Sequence, residues 1–142
     1  MISFTIPGAP RGKGRPRFRR AKGFVATYSD PKTANYENLI AYAAQEARGP
    51  CKPLEGPLVV TVLIRLAPPA SASKRTRAAM LAGDIHPTKK PDIDNVLKGV
   101  LDGCNGVAFA DDAQVCWINA GKVYAETAGV DVTITSDTKV AA

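Results

Sequence analysis

The run Leu58-Val59-Val60-Thr61-Val62-Leu63-Ile64-Arg65-Leu66 constrains the fold more than any other stretch of the chain. It is nearly continuously apolar and rich in β-branched residues, whose stiff side chains suit a pleated strand better than a helix. Such a run predicts a central strand buried on both faces. A strand of this kind needs covering layers, and two segments offer them. Tyr36, Leu39, Ile40, Ala43, Ala44 and Ala47 recur at 3-1-3-1-3 spacing, as do Ile93, Val96, Leu97, Val100, Leu101 and Cys104. Each set is one apolar face of an α-helix. Asp30-Pro31 supplies an N-cap and a first-turn proline for the first helix, and Gly49-Pro50 ends it. The second helix is expected over about 94–104.

Shorter signals complete the pattern. A strand over 2–6 stops at Pro7-Gly8-Ala9-Pro10, and a hairpin arm is expected through Phe24, Val25 and Tyr28. The polar, irregular segment 67–90 holds room for a short helix over 74–82, capped by Ser73 and closed by Gly83. After the turn at Asn105-Gly106, strands are expected over 107–110, over 115–124 with a bend at Gly121, and through Val130, Val132 and Ile134. The expectation is an α+β fold with a mixed or antiparallel β-sheet packed against two main α-helices. At 142 residues one domain is expected, 1–135, followed by a flexible C-terminal tail, 136–142.

Several classes drop out. No apolar run approaches the roughly 20 residues that span a bilayer, and the amino terminus lacks a signal-peptide pattern, so no membrane and a cytoplasmic location are expected. Cys51, Cys104 and Cys116 are odd in number without CxxC spacing, which predicts buried or half-buried free thiols. His86 is the only histidine and sits in a polar loop, which excludes sites needing two. Gly8 to Lys13 falls one residue short of a phosphate loop and lacks its Ser/Thr, and Asp92-Ile93-Asp94-Asn95 lacks the glycine and terminal glutamate of a calcium loop.

The net charge is +6, and its location matters more than its size. Arg11, Lys13, Arg15, Arg17, Arg19, Arg20 and Lys22 form a run of seven cations with no acid among them. Taking those seven from 19 Lys and Arg leaves 12 against 13 acids, a net of −1 elsewhere. A local cationic patch suits a polyanion with closely spaced phosphates, and Lys89 and Lys90 extend it. A solubilising basic loop is the plainer reading.

Acids stand out around Lys90-Pro91-Asp92-Ile93-Asp94-Asn95-Val96-Leu97-Lys98 and at Asp111-Asp112. Asp92 and Asp94 would splay apart on a continuous helix, and converge only if Asp92 is extended or at the N-cap. Asp94 and Lys98 share a helical face. A strand over 107–112 running back beneath the helix would return Asp112 to the level of Asp92 and Asp94. Three such carboxylates need divalent cations to offset their repulsion, and oxygen ligands favour Mg²⁺, with Mn²⁺ able to substitute. Helix capping is the competing explanation for Asp92 and Asp94.

The motif Lys90-Pro91-Asp92-Ile93-Asp94-Asn95 with Lys98, then Leu101-Asp102-Gly103-Cys104-Asn105-Gly106, then Asp111-Asp112-Ala113-Gln114-Val115 resembles the RusA family of Holliday junction resolvases. Gly12-Lys13-Gly14-Arg15-Pro16-Arg17 and Tyr36-Glu37 resemble its phage and prophage branch. The resemblance implies a homodimeric, Mg²⁺-dependent endodeoxyribonuclease that nicks four-way branched DNA symmetrically in recombination, repair or phage DNA processing. It carries catalytic roles to Asp92, Asp94, Asp112 and Lys98, metal ligation to the three aspartates, and supporting roles to Asp111 and Asn95. DNA contacts are expected from Arg11, Lys13, Arg15, Arg17, Arg19, Arg20, Lys89 and Lys90, with no small-molecule cofactor. Where one branch of the family has a basic residue before the first aspartate, this chain has Pro91. A non-catalytic DNA-binding module, or a nuclease acting on flaps, are the alternatives.

Overall fold

The computed structural model describes residues 1–13, 17–21, 24–28 and 31–136, with 17–21 and 24–28 described by their backbone. The expected Asp30 cap, Arg15, Lys22 and most of the tail lie outside the described residues. In chain order the elements are β1 (Ile2–Pro7), β2 (Arg17–Ala21), β3 (Phe24–Tyr28), α1 (Pro31–Arg48), β4 (Leu58–Leu66), α2 (Lys74–Leu81), α3 (Ile93–Cys104), β5 (Val115–Tyr124) and β6 (Gly129–Thr135). A four-stranded mixed sheet runs β1-β6-β4-β5, and β2 and β3 pair as a separate hairpin. The fold is α+β, with the two expected main helices, α1 and α3, and the expected short helix as α2.

β4 lies inside the sheet, antiparallel to β6 and parallel to β5. Its burial alternates, however. Leu58, Val60, Val62 and Ile64 are sealed in the core, whereas Thr61 and Leu63 are exposed. The reason is that the core helices cover one face of the sheet: Ile40 and Ala44 of α1, with Val96, Val100 and Cys104 of α3, share one cluster with the inward residues of β1, β4 and β6. Ile93, counted in the apolar face of its helix, is exposed at the first position, so the buried stripe of α3 begins at Val96.

Local signals act where expected. Gly49 takes φ +63° and its amide reaches Gln45 O at 3.0 Å, closing α1. Ser73 Oγ accepts the Thr76 amide at 3.2 Å and caps α2. The three thiols are free, but only Cys104 is buried; Cys51 and Cys116 are exposed. Burial among apolar neighbours pushes the Cys104 thiol up to about 12.

Residues 107–110 are not a strand. Cys104 O accepts the amides of both Val107 and Ala108, Gly106 donates to Phe109 O at 2.8 Å, and Phe109 is wholly buried. The segment folds back on the helix end to bury that ring. The strand that returns along α3 is β5 instead, since Lys122 near its end donates to Pro91 O, just before α3 begins.

Candidate active site

Asp92 is the N-cap residue of α3, with φ −73° and ψ 143°, so its backbone is extended as convergence with Asp94 requires. Its carboxylate makes no capping hydrogen bond. An N-cap aspartate ordinarily spends its side chain on the amides of the first turn. Here the exposed carboxylate is left for something else. Asp94 follows in the first turn, also exposed, where the partial positive charge of the helix start favours an acid. Lys98 is exposed one turn further on.

The approach to this helix start is a cleft of about 400 Å³ lined by Pro10, Gly12, Lys13, Lys90, Pro91, Asp92 and Asn95. Two contacts shape it. Lys122 Nζ donates to Lys89 O at 2.7 Å and to Pro91 O at 3.1 Å, tying β5 to the segment that delivers Asp92. The Lys13 amide donates to Asn95 O at 3.0 Å, which holds the chain before the basic run against the first turn of α3.

The aspartate pair sits in the short connection between α3 and β5. Asp111 caps a short 3-10 turn (Asp112–Gln114), its carboxylate accepting the Ala113 amide at 3.0 Å. Gln114 completes the box: its Oε1 accepts the amides of Ala110 and Asp111, and its Nε2 donates to Leu54 O and Gly56 O. The Ala113 amide and the Asp112 side chain hold Asp111 below the usual carboxylate range. Asp111 in turn pushes the Asp112 carboxyl above that range, with the charge of Asp102 acting in the same direction. Among the described residues no three acids, histidines or cysteines come together to hold a metal ion. The expected strand over 107–112 that would return Asp112 to Asp92 and Asp94 does not form, because residues 107–110 turn instead of extending.

Asp102 binds the ammonium of Lys13, which also stands 3.2 Å from Glu37 Oε1. The Asp102 hydrogen bond raises the Lys13 ammonium above its ordinary value, with burial opposing and Glu37 adding. Arg11, Lys89 and Lys90 are exposed, and the side chains of Arg15, Arg17, Arg19 and Arg20 lie outside the described residues. Sequence reasoning missed the organising roles of Gln114 and Lys122. The Asp-x-x-Gln spacing of 111–114 is a readable capping box, whereas nothing local marks a lone lysine in a strand.

An α+β domain with an uncapped, exposed carboxylate pair at a helix start, beside a cationic approach, has the layout of an enzyme that works on phosphodiesters. The comparisons narrow the class. Residues 7–135 match the family described as endodeoxyribonuclease RusA, and the chain belongs to that family. An uncharacterized Bacillus subtilis (strain 168) protein, YqaN, is 34% identical over 135 residues, covering 94% of each chain. Among the described residues no helix is long and apolar enough to cross a membrane.

Proposed function

We propose that the protein is a Mg²⁺-dependent Holliday junction resolvase that cuts four-way DNA as a homodimer by paired nicks. The observation that carries this reading is the Asp92 carboxylate, set at an N-cap and not used as a cap. With Asp94 it offers hard oxygen donors that suit Mg²⁺, or Mn²⁺ in its place. A bound ion would polarise the phosphodiester and lower the pKa of an attacking water. The chain's own residues do the rest: Lys98 stabilises charge on the phosphate, Asn95 lines the cleft, and Lys122 holds the Asp92 segment in place. Arg11, Arg15, Arg17, Arg19, Arg20, Lys89 and Lys90 grip the junction arms through phosphates.

An exposed sheet edge supports the dimer. β5 is the edge of the sheet, and residues 116–120 are exposed, Trp117 and Ile118 among them. A ten-residue edge strand exposed over 116–120 is a template for pairing. Antiparallel pairing of two β5 edges about their midpoint sets the Val115 end of each against the Lys122 end of the other. That brings Asp112 of one chain to the end of the sheet where the other chain's α3 presents Asp92 and Asp94. Each of the two sites then draws on both chains, as symmetric nicking of two equivalent strands requires.

The test is cleavage of labelled four-way junction, flap, duplex and single-stranded DNA with Mg²⁺, Mn²⁺ or EDTA. Paired nicks in junctions, lost in EDTA, are expected. Preferred cutting of flaps would replace the substrate, and binding without cleavage in either metal would leave a DNA-binding module.

A further inference from the structure

Lys13 is one of the seven clustered cations, yet its surroundings differ from those of a phosphate-binding side chain. The preceding residue, Gly12, lies so close to α3 that an added Cβ would sit 2.9 Å from Asn95 Cβ. The Lys13 amide is bound to Asn95 O at 3.0 Å. Its side chain runs along the same helix to Asp102, two turns further on, while Glu37 of α1 stands on the other side at 3.2 Å. Glu37 Oε1 is buried without a hydrogen-bond partner, so the Lys13 charge is what compensates it there. Moving Lys13 onto a phosphate would leave two carboxylates unbalanced, one of them with a buried oxygen.

We propose that Lys13 is a positioning residue, not a DNA contact: it clamps the root of the basic segment onto α1 and onto the helix that carries Asp92 and Asp94. Lys13 thereby fixes the point beside the cleft at which that segment begins. The functional consequence rests on the resolvase reading above; the clamp itself does not.

The test uses the full-length protein with Lys13→Met, Asp102→Ala, the double variant, and Lys13→Arg. Without DNA, Lys13→Met and Asp102→Ala should each speed hydrogen exchange across 10–13 about tenfold, where opening of a local unit sets the rate. The double variant should add little to either, as for two residues of one interaction. Lys13→Arg should retain protection. In Ca²⁺, the slope of log binding constant for a four-way junction against log salt should stay at the parental value for Lys13→Met, whereas removing a cation that neutralises a phosphate lowers it by about one unit. In Mg²⁺, cleavage of bound junction by Lys13→Met should slow about tenfold, the size expected when a reacting group is no longer held in place. A slope lowered by one unit with exchange unchanged in Asp102→Ala overturns the clamp, as does parental exchange in both single variants. Should Lys13→Met melt early, the isosteric Glu37→Gln and Asp102→Ala proteins carry the same readouts. A parental enzyme that cuts no DNA in Mg²⁺ or Mn²⁺ defeats the resolvase reading while leaving the exchange and slope results to decide the clamp.

Discussion

Asp92 and Asp94 differ from ordinary helix-start acids in what their replacement should do. Asparagine caps as well as aspartate and keeps its shape, so a structural role survives the change. Ligation of a hard cation does not, because the neutral amide binds Mg²⁺ far more weakly. Asp94→Asn should therefore fold normally, bind junctions as tightly or more tightly in Ca²⁺, and lose cleavage in Mg²⁺; a well-folded variant cutting at the parental rate would refute the acid site. Asp112→Asn should behave alike and Asp111→Asn more mildly, since Asp111 is occupied in capping Ala113. A second residue-scale prediction concerns Asp131, where burial raises the carboxyl but bonds from Arg65 and Thr5 outweigh it and bring it below its ordinary 3.8. A depressed pKa contributes stability above the unfolded value and loses it as pH falls through the folded one. The pair is partly exposed, 40% on the Asp131 side chain, so screening limits its worth to about 1 kcal/mol or less. Asp131→Asn should lower the melting temperature at pH 7 by about 2–4 °C at most, the shift such an energy gives a chain of this size. The difference should shrink as the pH falls below 3.8 and vanish only once it is below the depressed folded value.

At the scale of elements, α1 and α3 meet through a glycine. A Cβ on Gly103 would stand 2.6 Å from Ile40 Cγ2, 2.8 Å from Ile40 Cβ and 3.2 Å from Glu37 O. The branch atom and the backbone cannot swing aside, so the helices must separate. Alanine is the better helix former by about 1 kcal/mol, but overpacking costs about 1–3 kcal/mol. Gly103→Ala should destabilise by about 1 kcal/mol net in urea unfolding, and a stabilised protein would show that the two helices are not so tightly seated. The basic segment around Arg15 and Arg17 carries the other definite expectation. Arg15→Ala with Arg17→Ala should weaken junction binding and flatten its salt dependence by about one unit of slope for each phosphate no longer neutralised. An unchanged slope would remove this segment from the DNA interface.

For the whole molecule, the open question is what covers β5. Trp117 and Ile118 remain 47% and 40% exposed on an edge strand, a combination that favours pairing with a second chain. Sedimentation at micromolar concentration should return a dimer. Trp117→Glu with Ile118→Glu should return a folded monomer that still binds DNA and no longer cuts it. Full cleavage by such a monomer would show that one chain holds a complete site.

Features set by neighbours in the chain were legible from the sequence. The 3-1-3-1-3 stripes marked α1 and α3, the β-branched run marked β4, Ser73 and Gly49 marked helix ends, and the aspartate motif marked the family. Each depends on backbone geometry within a few residues, which periodicity and capping report directly. Features set by distant faces were not legible. Whether β4 is covered on one side or two depends on where α1 and α3 pack. Which strand returns along α3 depended on the burial of Phe109, whose pocket is made by residues far along the chain. Lys13 read as one more cation until the fold set it beside Asp102, 89 residues away. A charge's role depends on what stands opposite it, and only the tertiary structure decides that.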